Sequence, residues 1–388
     1  MKVSIKNVGC LSKVEFIAGN ITVISGQNST GKSTILKALY SVLVCPSDFE
    51  LIKNNQIDET LDLLMFRHSD EDRSRLLGDV DESEYLEIID YLRKHIDDED
   101  KQDKQSLEYA IDLKEGKVDD DFYGKIVRRR INSEFESVSQ FRNVDSENIA
   151  SVSITGGPSM SCNVRKRGEI SCKGNRRRIP RVVYFDSPFN VDDSLIWSIR
   201  RTNHRTDVWR LLNMDSGNII MKGTYRSNLE KLDKVMDESI PGMFINTKNG
   251  LRYKSPGGHI LSPRNVASGI KVFGTIRKLV DNGQLYEGSI LLLDEPEVHL
   301  HPQWINVLGN ILVILARDLN IRIIMTTHSP QLLMSVEANS RGDDDLARYY
   351  HLSYGDDGEV VMRDVSGNLN SVYQEMSDPI QETASRFW

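Results

Sequence analysis

The chain has 388 residues, of which 39% are hydrophobic, 27% charged and 7% aromatic. That length suits two to three domains, and that balance excludes a largely disordered chain. The formal charge of −8 is unevenly spread: residues 51–121 hold 10 Lys/Arg against 23 Asp/Glu, a net −13 that leaves +5 for the remainder. The average acidity therefore excludes no basic surface elsewhere.

No run of 18 apolar residues occurs, so no transmembrane helix is expected. The opening MKVSIKNVGCLSKVEF has no apolar stretch behind its lysines, so a secretory signal is not expected and the chain reads as cytoplasmic. Cys10, Cys45, Cys162 and Cys172 are too scattered for a disulfide scaffold, and no second pair supports zinc.

In chain order, alternating apolar residues at 3–5 and 14–17 predict a hairpin, and 20–25 a third strand. That strand runs into a glycine-bearing loop and then a helix over 33–44, where Ile35, Leu36, Leu39, Val42 and Leu43 recur at helical spacing. Residues 47–142 form an acidic, helical stretch without sustained heptads. Short β-like pieces and basic residues fill 150–178, and 181–186 reads as a buried strand. Residues 190–260 read as mixed and mainly helical, with a turn at 256–258. A helix over 266–280, a strand at 289–293, a helix over 303–319 and a strand at 321–325 follow, before a terminal hairpin near 347–352 and 359–362. Strand, loop, helix, then two buried strands around a helix predict a parallel α/β core.

The strongest local signal is Gly26-Gln27-Asn28-Ser29-Thr30-Gly31-Lys32-Ser33-Thr34, which fits G-x-x-x-x-G-K-[ST] between a strand and a helix. Glycines let backbone N–H groups curl around phosphates, and the helix N-terminus adds positive charge. Lys32 suits the β- and γ-phosphates and Ser33 suits Mg²⁺. The second signal is the apolar run Ile290 to Leu293 ending in Asp294 and Glu295, two carboxylates at a strand's carboxyl end. Asp294 is the expected Mg²⁺ partner and Glu295 the expected general base. The third is Met325-Thr326-Thr327-His328-Ser329-Pro330, a histidine at the end of the next apolar strand.

Together these motifs resemble the ABC-type ATPases of the SMC/RecF/OLD group, and most closely the stand-alone AAA-family ATPases of bacterial anti-phage systems (OLD-like, Septu and retron-associated). The resemblance covers roughly residues 1–45 and 180–365. It implies an ABC-type P-loop ATPase head, α/β with a mixed or parallel sheet core and helical insertions. Its parts would be the Walker A half of the core at 1–46, an acidic helical insertion at 47–149, a basic β-ribbon at 150–181 and a strand with a helical lobe at 182–265. The C-terminal half at 266–365 would carry signature, Walker B and switch histidine, ahead of a tail at 366–388.

The resemblance also implies roles. Gly26, Asn28, Ser29, Thr30, Gly31, Lys32, Ser33 and Thr34 match the nucleotide loop, Asp294 and Glu295 the Walker B pair, and His328 the switch histidine. Ser268 and Gly269 fit the signature motif that completes the site of an opposing subunit, although only a Ser-Gly core is kept. A Q-loop glutamine is not placed; Gln140 is one candidate. ATP and Mg²⁺ are the implied ligands, and a homodimer around ATP the implied assembly. No nuclease motif stands out, so a separately encoded effector or nuclease is the expected partner.

His299 and His301 lack a third zinc ligand and suit structural roles better. Arg165, Lys166, Arg167, Arg176, Arg177 and Arg178 could meet RNA or DNA phosphates, or form a solvated ribbon. The competing functions are a RecF-like DNA-repair ATPase, the ATP subunit of a transporter, and a small-molecule kinase.

Overall fold

The computed structural model describes residues 1–47, 49–68, 82–97, 99–117, 122–143, 148–174, 180–192, 203–214, 226–248, 250–343 and 345–385. The chain divides into two compact units, Met1–Ser47 with Gly124–Trp388, and Asp48–Tyr123.

The N-terminal elements are β1 (Lys2–Val8), β2 (Leu11–Ile17), β3 (Ile21–Gly26) and α1 (Lys32–Ser47). In β1 the pattern is amphipathic, with Val3, Ile5 and Val8 buried while Lys2 and Lys6 face solvent. In β3 all six residues are buried, the signature of a strand covered on both faces.

The acidic unit contains α2 (Phe49–His68), α3 (Glu82–His95) and α4 (Lys101–Lys114). Leu61, Leu64, Leu92, Leu107 and Leu113 are buried in it. Asp103, also buried, accepts from Arg67 Nη1 and contacts His68 Nε2, each at 2.6 Å. Next come α5 (Phe122–Phe135) and α6 (Val138–Phe141). The separate unit ends at Tyr123, and Gly124 opens the second segment of the larger unit.

β4 (Ala150–Thr155), β5 (Met160–Val164) and β6 (Ile170–Gly174) then join the N-terminal hairpin in an antiparallel sheet of order β2-β1-β4-β5-β6. The basic ribbon is thus the edge of a five-stranded sheet. Cys162 and Cys172 are opposite one another across β5 and β6 and form a disulfide. Sequence spacing discounted these cysteines as a framework; strand register brings two of them together as a local hairpin link.

β7 (Val182–Phe185), α7 (His204–Asn213) and α8 (Arg226–Ser239) follow, then β8 (Met243–Thr247), β9 (Gly250–Lys254) and β10 (Ile260–Leu261). The last three form their own antiparallel sheet, where the sequence pattern predicted mainly helix. The C-terminal half runs α9 (Ser268–Asp281), β11 (Ile290–Asp294), α10 (Pro302–Arg317), β12 (Arg322–Thr327), α11 (Pro330–Ser340), β13 (Ala347–Tyr354), β14 (Val360–Asp364) and α12 (Asn370–Ser385). The stretch set apart as a tail therefore carries a helix, and Leu369 and Val372 enter the main core.

The six-stranded sheet has order β14-β13-β3-β12-β11-β7, parallel except for β14. α1 lies between the two large sheets, touching β3, β7, β11 and β12 as well as β1, β4 and β5. Its Ile35, Leu36, Leu39, Tyr40, Val42 and Leu43 are all buried, so apolar residues surround the helix. Burying each such Leu or Ile stabilises by about 1.5–3 kcal/mol. That packing holds the start of α1 fixed at the end of β3. Among the described residues no helix is long and apolar enough to cross a membrane.

Candidate functional site

The parallel sheet delivers three strand ends to one edge. β3 ends at Gly26, β11 at Asp294 and β12 at Thr327, and ligands of such sheets bind at carboxyl ends. Gly26 sits at φ 151°, and a Cβ there would lie 2.3 Å from the Leu352 carbonyl oxygen of β13. Gly31 sits at φ 86°, where a Cβ would meet Cys10 Sγ at 2.7 Å and Leu11 Cδ2 at 2.8 Å. Both positions need glycine for conformation and for space. Asn28, Ser29 and Thr30 form the bend between them, with Thr30 Oγ1 donating to the Gln27 carbonyl at 2.8 Å. Thr34 follows in α1, its side chain beneath Gly9.

Lys32, only 5% exposed, donates to the carbonyls of Gly26 (3.0 Å) and Gln27 (2.6 Å). Burial lowers its pKa, while the charges of Glu295 and Asp294 act in the opposite direction. The loop is also tied to α12: Gln27 Nε2 donates to Glu375 Oε1 at 3.0 Å, and Glu375 Oε2 lies 3.1 Å from His351 Nε2.

Asp294 is oriented by three hydroxyls. Oδ1 accepts from Ser33 Oγ (3.1 Å) and Thr326 Oγ1 (2.6 Å), and Oδ2 from Tyr184 OH (3.0 Å). Glu295 adopts a left-handed backbone, φ 46°, which turns its side chain away from the strand direction. Its Oε1 meets His328 Nε2 at 3.1 Å, and both side chains are one-third exposed. Burial and then the charge of Lys32 lower the pKa of His328, against the opposing carboxylates Glu295 and Asp294.

Ser33 and Asp294 present a hydroxyl and a carboxylate oxygen 3.1 Å apart, an all-oxygen pair suited to a hard divalent cation. A cleft lined by Ser33, Asp186, Ser187, Asp294, Glu295 and His299 opens beside them.

Other residues singled out in the sequence fall elsewhere. Ser268 is the first residue of α9, and the N-cap Ala267 makes no side-chain capping bond. Gly269 allows close packing, since a Cβ would lie 2.5 Å from the Trp304 ring of α10. Gln140 is exposed on α6 and donates to Glu136 Oε2 at 3.1 Å, and it is not among the residues lining the cleft. The strand end beside β11 brings Asp186 to the cleft. His301 caps α10, accepting from Gln303 N at 3.4 Å, with Pro302 in the first turn. His299 packs edge-on against Phe189. Among the described residues neither histidine joins a group of three metal-ligating side chains. Arg165, Lys166 and Arg167 lie exposed at the β5–β6 turn, where Arg165 pairs with Glu169 at 3.2 Å. Arg176, Arg177 and Arg178 lie outside the described residues.

Sequence reading missed a buried polar network behind the site. The His204 ring lies tilted against Tyr184, the partner of Asp294, with ring centroids 4.3 Å apart. His204 Nδ1 lies 2.5 Å from Glu134 Oε2, and Nε2 makes an ionic contact of 3.0 Å with Asp186 Oδ2. Alongside, Asp207 accepts from Tyr40 of α1 and from Arg130 Nη1 at 2.5 Å. Glu134 and His204 are 70 residues apart, so no local pattern announces their pairing.

The phosphate loop, the acidic strand end and the histidine are thus gathered at one edge of a largely parallel sheet, in an α/β fold of P-loop type. A family model described as "AAA domain, putative AbiEii toxin, Type IV TA system" matches residues 214–335, which include Ser268, Asp294, Glu295 and His328. A comparison with curated proteins finds no match. Among solved structures the chain is similar to "SMC head domain from Thermotoga maritima", at 10% identity over 94% of this chain and 98% of that one, TM-score 0.43. It is similar also to "SmcHead bound to the C-winged helix domain of ScpA", at 13% identity over 94% and 98%, TM-score 0.48. A third is the Smc head domain with an extended coiled coil, bound to the C-terminal domain of ScpA derived from Pyrococcus furiosus, at 12% identity over 96% and 98%, TM-score 0.44.

Proposed function

We propose that this chain is an ATP-hydrolysing molecular switch. Two copies close around ATP, and the cycle regulates a separately encoded effector or nuclease in bacterial anti-phage defence. The observation that carries the reading is the convergence of Lys32, Ser33, Asp294, Glu295 and His328 at one sheet edge, linked by the Ser33–Asp294 and Glu295–His328 contacts of 3.1 Å.

Backbone N–H groups from Asn28 to Thr34 and the start of α1 face the phosphates, and Lys32 exchanges its carbonyl acceptors for β- and γ-oxygens. Ser33 and Asp294 would hold Mg²⁺, which when bound neutralises charge on the transferring phosphate. Glu295 takes the proton of the attacking water, and His328 holds Glu295 in place while facing the terminal phosphate. Ser268 and Gly269 of one copy complete the site of the other. Their backbone N–H groups open α9 without a side-chain cap, so they are available to an anion.

The test is phosphate release and sizing with ATP and Mg²⁺. Lys32→Ala removes the cation at the phosphates, and Glu295→Gln removes the base while keeping size. Both should lower turnover by about a hundredfold or more. Only Glu295→Gln should accumulate an ATP-dependent dimer. A folded Lys32→Ala chain that hydrolyses ATP at the wild-type rate refutes the site.

A further inference from the structure

Three carboxylates leave the end of β11 within four residues, and they point to different tasks. Asp294 is held inward by Thr326 Oγ1 at 2.6 Å, and Glu295 turns outward to His328. Glu297 turns inward again and is 7% exposed. Its Oε1 accepts from Thr327 Oγ1 at 2.5 Å and from the His328 backbone N–H at 3.2 Å. Thr326 and Thr327 are both fully buried at the end of β12, and each grips a carboxylate of the neighbouring loop.

Stability alone does not account for an acid at this position. A buried carboxylate is expensive unless all its oxygens are satisfied, and an apolar or amide side chain would be cheaper. Glu297 Oε2 is buried and finds no hydrogen-bond partner among the described residues. Burial accordingly pushes the carboxyl's pKa up, against the bonds it accepts from Thr327 and from backbone N–H groups. What Oε1 does achieve is geometric. It ties the loop that carries Glu295 to the residue that carries the imidazole, from the backbone side, opposite the exposed contact of Glu295 with His328 Nε2.

We propose that Glu297 is a positioning residue: through Thr327 Oγ1 and the His328 N–H it locks the two loops together, so that Glu295 and His328 meet the terminal phosphate as one preformed pair. The inference rests on the reading of Glu295 and His328 as the hydrolytic pair. Glu297 reaches the pair only through Thr327 and the His328 backbone. It acts by holding a geometry in which small displacements are costly to rate.

The test uses the full chain, with ATP and Mg²⁺, and separates kcat from KM. Thr327→Val deletes one donor at nearly constant volume, and Thr327→Ser restores it. Glu297→Ala deletes the acceptor, and Glu297→Gln retains an amide oxygen at the Oε1 position. Thr327→Val and Glu297→Ala should lower kcat by about tenfold to a hundredfold. KM and equilibrium ATP affinity should stay within about twofold, because the phosphate loop is untouched. Thr327→Ser and Glu297→Gln should recover most of kcat.

Backbone amide exchange at His328, which needs no turnover, should accelerate in Glu297→Ala and remain slow in Glu297→Gln. A wild-type kcat in both deletion variants overturns the proposal. So does a change in KM alone, or unchanged His328 exchange in Glu297→Ala. If Glu297→Ala fails to fold, the Thr327→Val and Thr327→Ser pair decides. A wild-type chain that releases no phosphate would refute the ATPase reading itself, while the exchange measurement would still decide whether Glu297 holds the histidine loop.

Discussion

His204 opens α7 between two carboxylates, and replacing it with glutamine should change how stability depends on pH. Burial opposes a charged imidazole here, but Glu134 and Asp186 outweigh it and raise the pKa from 6.5 to about 9. That difference corresponds to about 3 kcal/mol of folding free energy. Because the folded value lies above the unfolded one, the contribution is complete below the unfolded pKa of 6.5. It declines as pH rises and is gone above about 9.

Asp186 has the opposite sign. Despite burial, hydrogen bonding and charge from His204, then Arg205, depress its pKa, so its contribution is present above the unfolded carboxylate value and disappears on acidification. His204→Gln leaves at least one buried carboxylate without its cation, which destabilises at neutral pH. The assay is urea unfolding of wild type and variant from about pH 6 to about pH 10. The stability gap should narrow by roughly 3 kcal/mol across that window. Parallel curves would refute the charged clamp.

Two further predictions concern surfaces. Ser268→Arg places a long cation at the start of α9 and should block the ATP-dependent dimer while leaving ATP binding by one copy intact; normal dimers on sizing would remove Ser268 from the signature role. Reversing Arg176, Arg177 and Arg178 to Glu should weaken RNA or DNA binding, reduce the log–log salt slope by up to about 3, and spare basal ATPase activity. Binding curves that overlay wild type across a salt series would reject that role.

The motifs were legible because each is a local code. Gly26 and Gly31 must be glycine for the loop to close, and the apolar run before Asp294 announces a doubly covered strand. The helix over 303–319 shows in its apolar spacing, whereas the one from Pro330 to Ser340, capped by Ser329, was not predicted from the string. The missed features are those that register or long-range packing creates. Cys162 and Cys172 meet only because β5 and β6 pair in that register. The sheet of β8, β9 and β10 hides in a stretch whose apolar residues do not alternate over any long run. Glu297 lies two residues beyond Glu295, yet nothing in the string says that it turns inward while Glu295 turns out. Asp186 comes to line the cleft because the neighbour of β11 is β7, which spacing alone does not reveal.

The position of β3 has a consequence for how the molecule is made. Its two neighbours in the sheet, β12 and β13, begin at Arg322 and Ala347, some 300 residues later in the chain. A ribosome adding about 5–20 residues per second therefore releases the phosphate-loop strand tens of seconds before either partner exists. Through that interval six residues destined for complete burial present both an apolar surface and unpaired backbone edges. The N-terminal hairpin can form at once, and the unit from Asp48 to Tyr123 can collapse on its own contacts, but the nucleotide loop cannot acquire its shape until synthesis has passed β12. The strand that leads into the glycine-bearing loop is thus left without its sheet neighbours until synthesis has passed β12.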